Sequence, residues 1–422
     1  TPIIAVLVVS GDVLQAQLDA GPEVITAHPS RVIPAESQLD FAAEALNTCS
    51  RVTILAGAGT AGAHAELLAI AETLQAPIVH ALRGKEHVEY DNHFDVGMTG
   101  LLGFASGYRA MMEAETLLVL GSDLPYPQFY PGDATVVQVD IRGEQIGRRT
   151  PVDIPLVGGV SETIEALLPR LTAKTSSKHL DTMTKHYAKT RKKLDELAGP
   201  TKRTIHPQYL TRLIDEAAAD DAVFLPDVGS PVVWAARYLT MNGRRRLIGS
   251  FTHGSMANAV SQAVGVQATD RDRQVIALAG DGGLAMLLGE LITLTQNELP
   301  VKTVVYNNSS LNFVELEMKA AGYVNFGTDL KNPDFARVAE AVGIRGIRVE
   351  SAQDLPAAVE EFLAHDGPAL LDVVTEQQEL SMPPSVTAEQ AKGFALYAIR
   401  TVMSGRGDEL IDLAKANLRQ LF

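Results

Sequence analysis

The stretch Val275–Asn308, VIALAGDGGLAMLLGELITLTQNELPVKTVVYNN, decides the fold class of this chain. An apolar run leads into Gly280-Asp281-Gly282, and 24 residues separate this tripeptide from Asn307-Asn308, which follow a second apolar run. A helical pattern near Ala285–Asn297 lies between the two runs. Strand, helix and strand in this order predict a parallel βαβ unit. The polar residues at both strand ends would then lie at the sheet edge where open α/β sheets bind ligands.

The same alternation of strand and helix patterns continues on both sides of this stretch. It predicts an α/β protein with consecutive doubly wound parallel sheets. An apolar run at Ile3–Val9 predicts one further strand, which ends in a turn at Ser10–Asp12. The other predicted strands form two groups: Val52–Ala56, Ile78–His80, Thr116–Leu120 and Thr135–Val139, then Ala222–Leu225, Gln274–Ala279, Val301–Tyr306, Gly346–Val349 and Leu370–Val374.

The composition excludes several classes of protein. The 422 residues include 36 basic and 51 acidic side chains, which give a formal charge of −15. This balance argues against nucleic acid as a partner, because binding to phosphates depends on Lys and Arg. The single cysteine, Cys49, excludes an internal disulfide framework. No apolar run reaches the roughly 18 residues that a membrane-spanning helix needs, so any membrane contact is expected to be peripheral.

The polar residues at the two strand ends have the chemistry of a magnesium and diphosphate site. Asp281 and Asn308 offer hard oxygen ligands, which Mg²⁺ combines with the oxygens of a bound phosphate group. The flanking glycines allow backbone N–H groups to approach a diphosphate at the start of the following helix. Gly-Asp-Gly alone also occurs in ordinary strand-to-helix turns. Its pairing with Asn-Asn at this distance favours the cofactor site.

Longer segments of the chain resemble one family. Gly-Asp-Gly followed at this distance by Asn-Asn is similar to the thiamine diphosphate (ThDP) motif. From about Val6 to the C-terminus, the chain resembles the bacterial pyruvate:quinone oxidoreductases, which are membrane-associated pyruvate dehydrogenases or pyruvate oxidases. The segments that carry this resemblance are DVGSPVVWAARYL (Asp227–Leu239), GSFTHGSMANAVSQAVG (Gly249–Gly265), HALRGKEHVEYDN (His80–Asn92) and GDELIDLAKANL (Gly407–Leu418).

The resemblance implies ThDP, Mg²⁺ and FAD as cofactors. It implies oxidative decarboxylation of pyruvate to acetate and CO₂, with electrons passed through FAD to a membrane quinone such as ubiquinone. It further implies a homotetramer in the cytoplasm, held peripherally on the inner face of the cell membrane. Two alternatives stay open: a carboligase similar to acetohydroxyacid synthase, and a non-catalytic cofactor-binding core.

The resemblance also implies a domain order. Residues 1–20 would be the last strand of a truncated pyrimidine-binding domain, 21–165 an FAD-binding middle domain and 166–203 a helical linker. Residues 204–378 would bind the diphosphate and Mg²⁺, and 379–422 would form a membrane-binding tail. No glutamate in the chain matches the context of the family glutamate that contacts the pyrimidine. The fragment itself is therefore expected to be inactive.

The resemblance assigns the ThDP site residue by residue. The expected metal ligands are Asp281, Asn308 and the Ser310 carbonyl. Met256 would be the apolar wedge that bends the cofactor, while Phe313 and Glu317 would face the substrate, and these three are the expected catalytic residues. The other expected contacts with ThDP are Gly229, Ser230, Gly254, Ser255, Gly282, Gly283, Ser309 and Leu311.

The resemblance places FAD in the first α/β unit. The Gly57–Gly62 turn is only a partial dinucleotide motif and is weak evidence by itself. An acidic residue after a strand suits a hydrogen bond to a ribose, although it is equally common in turns. The expected FAD contacts are Thr99, Gly100, Leu101, Leu102, Ser122, Asp123, Leu124, Pro125, Tyr126 and Asp140.

The C-terminal segment has the pattern of an amphipathic helix. At 100° per residue, one arc of the helix carries Leu410, Ile411, Ala414, Leu418, Leu421 and Phe422. Asp408 is the expected N-cap, with a hinge at Gly405 and Gly407. The pattern fits a helix docked on its own domain, and equally a helix released to a phospholipid surface and the quinone.

Overall fold

The computed structural model describes residues 6–18, 21, 30–201, 204–379, 384, 388–404 and 406–421. The chain divides into two units, Thr1–Arg31 and Val32–Phe422. In the first unit, helix α1 (Gly11–Leu14) begins where a turn was expected. The predicted strand is wrong over Val6–Val9, which is irregular and has Val6, Leu7 and Val8 at least 85% exposed. No described strand pairs with it, and an isolated apolar run cannot form a sheet. Ile3–Ala5 lie outside the described residues.

The second unit begins with a parallel six-stranded sheet in the order β3-β2-β1-β4-β5-β6. Its strands are β1 (Val52–Ala56), β2 (Ile78–His80), β3 (Asp95–Met98), β4 (Thr116–Leu120), β5 (Thr135–Asp140) and β6 (Ile154–Val157). Its helices are α2 (Glu36–Thr48), α3 (His64–Leu74), α4 (Lys85–Val88), α5 (Ala105–Met112) and α6 (Val160–Leu167). The four predicted strands are confirmed, whereas β3 and β6 were not predicted.

Helix α7 (Lys178–Leu197) lies in the segment expected to be a linker. Its first turns are buried against the first sheet, where His179 Nε2 meets the Thr53 hydroxyl at 3.0 Å. The expected domain boundary at residue 165 cuts through α6, whose side chains at Ile164 and Leu167 are fully buried. The start of α7 therefore packs on the first sheet, whereas its C-terminal half contacts the second domain, where Arg191 donates to the Arg237 carbonyl oxygen at 2.6 Å. The helical linker and the domain bounds stay predictions.

A second parallel sheet follows in the order β11-β12-β10-β9-β7-β8. Its strands are β7 (Val223–Pro226), β8 (Arg246–Leu247), β9 (Val275–Gly280), β10 (Lys302–Asn307), β11 (Arg345–Val349) and β12 (Ala369–Val374). Its helices are α8 (Pro207–Ala217), α9 (Ser230–Tyr238), α10 (Asn258–Thr269), α11 (Asp281–Met286), α12 (Glu290–Gln296), α13 (Asn312–Ala320), α14 (Phe335–Ala341) and α15 (Leu355–Ala364). The predicted doubly wound α/β class is confirmed. The helical pattern expected near Ala285–Asn297 corresponds to the end of α11 and to α12, which are separated by a break beside Gly289, a poor helix former.

The register of β9 and β10 brings the two strand ends of the opening motif together. The strands are parallel neighbours, and Tyr306 pairs with Gly280. Asp281 and the loop after Asn307 therefore leave the sheet at the same carboxyl edge. The β9 side chains from Val275 to Ala279 are fully buried, which accounts for the continuous apolar run in the sequence.

Two helices, α16 (Ala388–Met403) and α17 (Gly407–Leu421), form the C-terminal tail. Helix α16 packs on α13 at Gly393, where a Cβ atom would lie 1.8 Å from the Ala320 carbonyl oxygen. Asn417 donates a hydrogen bond to the Gln378 carbonyl oxygen at 2.7 Å. Within the described residues, no helix combines the length and apolarity needed to cross a bilayer.

The tail differs in detail from the sequence prediction. Helix α17 begins at Gly407, so Asp408 belongs to the first helical turn and is not the N-cap, and Gly407 is helical rather than a hinge. Gly405 and Phe422 lie outside the described residues. The face of α17 nearest the protein carries Leu413 and buried Asn417. Of the predicted apolar arc, Leu410 is half-buried, whereas Ile411 and Ala414 are exposed. The side chains of Leu418 and Leu421 are not among those described.

Candidate functional site

Asp281 forms the centre of the candidate site. It begins α11 directly after β9, and its side chain is buried. One carboxylate oxygen accepts the Gly282 N–H at 2.8 Å, and the other accepts the Ser309 N–H and the Asn332 amide, both at 2.7 Å. Burial raises the pKa of this carboxyl, because removal from water penalises its charged form. A cation beside Asp281 would offset that penalty.

The loop after β10 brings two further oxygen atoms that can bind a metal ion close to Asp281. Ser309 adopts a left-handed conformation with φ 57°, which reverses the chain immediately after Asn308. The Ser310 N–H donates to Asn308 Oδ1 at 3.1 Å. A carboxylate, an amide oxygen and a main-chain carbonyl are the hard donors that Mg²⁺ prefers. The donor set of Asp281, Asn308 and Ser310 therefore fits the magnesium ion that the motif predicts.

Glycines shape the wall where a diphosphate would bind. A Cβ on Gly282 would lie 2.7 Å from the Leu311 side chain, and a Cβ on Gly283 would lie 1.9 Å from Asp227 Oδ2. Gly229 has φ +122°, a conformation that side chains rarely adopt. The main chain at the start of α11 can therefore lie close to a ligand, although the Gly282 N–H already donates to Asp281. These residues fit the phosphate-binding role predicted for them.

These residues line one cleft of about 610 Å³, which includes its open mouth. Of the predicted residues, the cleft contains Gly229, Ser230, Met256, Asp281, Gly282, Gly283, Asn308, Ser310, Leu311 and Phe313. Sequence reasoning missed other lining residues, among them Trp234, Tyr306, Asn312, Thr375 and Glu379. Glu379 is buried, and its carboxylate lies 2.5 Å from both His206 Nδ1 and Gln208 Nε2. No local motif marks these residues, because they come from distant elements.

Four of the residues predicted for the ThDP site do not line the cleft. Gly254 and Ser255 are exposed on the segment before α10 and do not line the cleft, although the neighbouring Met256 does. Ser309 contributes its N–H to Asp281 without lining the cleft. Glu317 is exposed one turn beyond Phe313 on α13. The roles assigned to Gly254, Ser255 and Glu317 stay predictions.

Asp227 is a further site residue that the sequence did not single out. It follows β7, is 1% exposed, and accepts the Ala259 N–H at 3.2 Å, which ties it to the start of α10. Its second oxygen has no hydrogen-bond partner among the described residues and lies below Gly283. Burial raises the pKa of the Asp227 carboxyl to about 6.

The raised pKa of Asp227 predicts a pH dependence of stability. Because the folded-state value lies above the ordinary value of 3.8, Asp227 stabilises the fold below about pH 4. This contribution is lost as the pH rises through about 6, which lowers the free energy of unfolding by about 2–3 kcal/mol. Urea unfolding of the wild type and Asp227→Asn between pH 4 and 7, without ligands, measures it. We expect the variant to gain stability relative to the wild type as the pH rises, and parallel profiles would contradict the assignment.

The residues expected to bind FAD lie at one edge of the first sheet. Thr99 follows β3, Ser122 follows β4, and Asp140 ends β5. The hydroxyls of Thr99 and Ser122 are buried and have no hydrogen-bond partner among the described residues. Asp140 accepts the Arg142 N–H at 2.8 Å, as an aspartate in a turn does. Asp123 forms an ion pair with Arg149 at 2.6 Å. FAD binding at this edge stays a prediction.

Close packing of the main chain accounts for two glycines of the Gly57–Gly62 turn. A Cβ on Gly57 would lie 2.4 Å from the Gly121 carbonyl oxygen, and one on Gly59 would lie 2.6 Å from Gly121 Cα. The turn after β1 therefore packs directly on the turn after β4. This close approach of two main chains explains both glycines without a bound cofactor.

One other group of described side chains has the composition of a metal site. His80, Glu89 and Asp95 place ligand atoms within 4.8 Å of one another. Lys85 Nζ already lies 2.5 Å from Glu89 Oε1 and supplies the positive charge. Burial opposes ionisation of Glu89, but Lys85 and His80 hold its pKa at about 2. We therefore interpret this group as an internal ion network.

The fold and the cleft together define a class of protein: an α/β protein that binds a diphosphate and Mg²⁺ at the carboxyl edge of a parallel sheet. Comparison with known families identifies the cofactor. The C-terminal TPP (thiamine pyrophosphate) binding domain of the thiamine pyrophosphate enzymes matches residues 227–373, and the central domain of these enzymes matches residues 39–167.

One of the similar proteins names the same cofactor. The chain is 32% identical over 422 residues to the putative thiamine pyrophosphate-containing protein YdaP of Bacillus subtilis (strain 168), covering 99% of this chain and 73% of that protein. It is 28% identical over 423 residues to the acetolactate synthase large subunit of Corynebacterium glutamicum, covering 94% of this chain and 66% of that subunit. An uncharacterized 42.6 kDa protein of Pseudomonas amyloderamosa is 51% identical over 207 residues, covering 48% of this chain and 52% of that protein. The chain belongs to the ThDP-dependent enzyme family, in which Mg²⁺ is typical.

Proposed function

We propose that this chain is the central and diphosphate-binding part of an enzyme that decarboxylates pyruvate or a closely related 2-oxo acid. The cleft carries this proposal, because Asp281, the Asn308–Ser310 loop and the start of α11 surround one space. Bound ThDP supplies an electron sink for loss of CO₂ from a 2-oxo acid.

In this proposal, the chain's own residues bind the metal and the diphosphate, and they exclude water from the reacting atoms. Asp281, Asn308 and Ser310 would hold the metal. Gly283 would offer its N–H group to the diphosphate, and Gly282, which has no side chain, would allow the close approach. Phe313 projects into the cleft from the first turn of α13, where an apolar ring limits the access of water to the reacting atoms. An apolar wall of this size suits a short 2-oxo acid.

The fate of the two-carbon fragment of pyruvate distinguishes two candidate functions. Carboligation to a second 2-oxo acid is supported by the names of several relatives, which are acetolactate synthases from bacteria, archaea and a red alga. The comparisons support this candidate more directly than the other.

Oxidation to acetate, with FAD and a membrane quinone as acceptors, is favoured by the tail. The outer surfaces of α16 and α17 leave several apolar side chains at least 38% exposed: Leu396, Ile399, Val402, Met403 and Ile411. Exposed apolar patches on helices mark contacts with a partner or a lipid surface. Under this candidate, a tetrameric enzyme would bind peripherally to the inner face of the cell membrane.

Product analysis separates the candidates. Because the chain alone is expected to be inactive, a version that carries the family's pyrimidine-binding domain is incubated with pyruvate, ThDP and Mg²⁺, with and without ferricyanide as electron acceptor. Acetolactate formed without an acceptor supports carboligation, whereas acetate formed in proportion to ferricyanide reduction supports oxidation. Bound flavin whose absorbance bleaches on addition of pyruvate would further support oxidation. Failure to bind ThDP at all would overturn the proposal.

The oxidative candidate makes a separate prediction about lipid binding. Changing Ile399, Val402 and Ile411 together to Gln should reduce co-sedimentation with anionic phospholipid vesicles by about tenfold or more, since each buried apolar side chain is worth roughly 1.5–3 kcal/mol. All three side chains are more than half exposed, so the fold should be preserved. Lys415→Gln, a change on the polar side of α17, is the control. Equal sedimentation of all forms would remove the membrane assignment.

A further inference from the structure

Glu315 is a buried carboxylate that the proposed chemistry does not use. It lies on α13 between Phe313, which lines the cleft, and Glu317, which is exposed. Its side chain is 1% exposed and does not line the cleft. A carboxylate is buried at a high cost unless it is paired and hydrogen-bonded, so its partners show what it does.

The partners of Glu315 come from separate parts of the domain. Oε2 accepts the Ser310 hydroxyl at 2.6 Å. Oε1 accepts the Asn325 amide at 2.6 Å and the Gln378 amide at 3.2 Å. Lys319, one helical turn later, places its ammonium 2.6 Å from Oε1. The carboxylate therefore joins the loop after β10 to the segment just after α13 and to the segment after β12, which is distant in sequence.

The hydrogen bond between Ser310 and Glu315 links the buried carboxylate directly to the expected metal site. The Ser310 hydroxyl donates a hydrogen bond to Glu315. The Ser310 carbonyl oxygen is therefore the atom of this residue that is expected to bind Mg²⁺. Ser309 has φ 57°, an unfavourable conformation for a non-glycine residue. Such a conformation persists when the surrounding contacts hold it. The bond from Ser310 to Glu315 is one of the contacts that fix this loop.

Lys319 supplies the counter-charge for the buried Glu315 carboxylate. It is 2% exposed, donates to Gln378 Oε1 at 2.6 Å, and lies over the Tyr397 ring at 5.6 Å. The carboxylate is therefore neutralised on the side of α13 away from the cleft. Buried ion pairs contribute little net stability, and a role in fixing local geometry explains this pair better than stability does.

We propose that Glu315 is a positioning residue for the metal and diphosphate site: with Lys319 as its counter-charge, it holds the Ser310 loop in the conformation that binds Mg²⁺. The proposal concerns binding of the metal and diphosphate. It does not depend on whether the product is acetate or a carboligation product.

The test measures Mg²⁺ binding by fluorescence. Trp234 is the single tryptophan of the chain and lines the cleft, so its emission reports occupancy. The full chain is titrated with Mg²⁺ at a fixed, saturating concentration of ThDP. Glu315→Gln keeps the shape of the side chain and removes its charge. Ser310→Ala removes only the hydroxyl and keeps the main-chain carbonyl. The control is Asp215→Asn, which breaks the largely buried ion pair with Arg245 in the same domain, away from the cleft.

We expect Glu315→Gln and Ser310→Ala each to raise the Mg²⁺ concentration at half-saturation by about 10–100-fold, as loss of an outer-shell partner does. The loss in the double variant should be smaller than the sum of the two single losses, because both changes weaken the same contact between Ser310 and residue 315. Asp215→Asn should stay within about twofold. If Glu315→Gln does not fold, Ser310→Ala alone decides the outcome. Unchanged Mg²⁺ binding in the variants, or additive losses in the double variant, would overturn the proposal.

Discussion

Replacing Asp281 by alanine is expected to abolish Mg²⁺-dependent binding of ThDP, with a loss of affinity above about 100-fold, more than an outer-shell change costs. The change removes the only carboxylate in the predicted donor set. It also removes the acceptor for the Ser309 N–H and the Asn332 amide, so the loop after β10 loses two of its anchors.

The measurement for Asp281→Ala is the change in Trp234 fluorescence during titration with ThDP at fixed Mg²⁺. Asp354→Ala, which removes an exposed carboxylate at the start of α15, serves as the matched control and should bind normally. Urea unfolding without ligands shows whether the variant is folded. An unchanged affinity for ThDP in a folded variant would exclude Asp281 as a metal ligand.

Asp372→Ala is expected to cost about 2–4 kcal/mol of unfolding free energy, because two buried donors and the partly exposed Arg348 lose their acceptor. Asp372 lies in β12 and is fully buried. It pairs with Arg348 at 2.5 Å and accepts the Asn307 amide at 2.9 Å and the Phe335 N–H at 3.1 Å. Three donors from β10, β11 and α14 would lose their acceptor together.

Urea unfolding at pH 7 measures the effect of Asp372→Ala. Asp372→Asn should cost less, because its amide oxygen still accepts one of the three hydrogen bonds. A change below about 1 kcal/mol for Asp372→Ala would show that water replaces the lost carboxylate. The site should also weaken, since Asn307 Oδ1 accepts the Asn332 amide that in turn contacts Asp281.

The strands of both sheets were largely predictable because their information is local. Strand β1 was predicted with its observed bounds, and β9 and β10 were predicted to within one residue at each end. Continuous apolar runs that end in glycine or polar residues identify buried parallel strands. β3 was missed because it carries Asp95 and Gly97 instead of an apolar run, and β8 because it has only two residues. Both exist through pairing with a neighbouring strand.

Some residues of the candidate site were likewise predictable from the sequence, and others were not. Asp281, Asn308 and the glycines of α11 were predictable, because adjacent parallel strands bring their ends together and the residue types reveal the chemistry. Asp227, Trp234 and Glu315 were not singled out. Each is buried in or beside the candidate site, and a sequence pattern does not show which of these side chains are buried there.

The sequence by itself determined the α/β class, the order of the two sheets and the metal-binding strand ends, since these depend on local periodicity and turn chemistry. The amphipathic character of α17 was also evident, but the face that docks was decided by tertiary structure. Asn417 is buried against the Gln378 carbonyl, while Ile411 and Ala414 of the predicted apolar arc remain exposed. The physical reason is that the segment after β12 presents the Gln378 carbonyl oxygen to α17, and the Asn417 amide donates to it. Satisfying this buried main-chain group helps to set the orientation of the helix, alongside the burial of apolar surface.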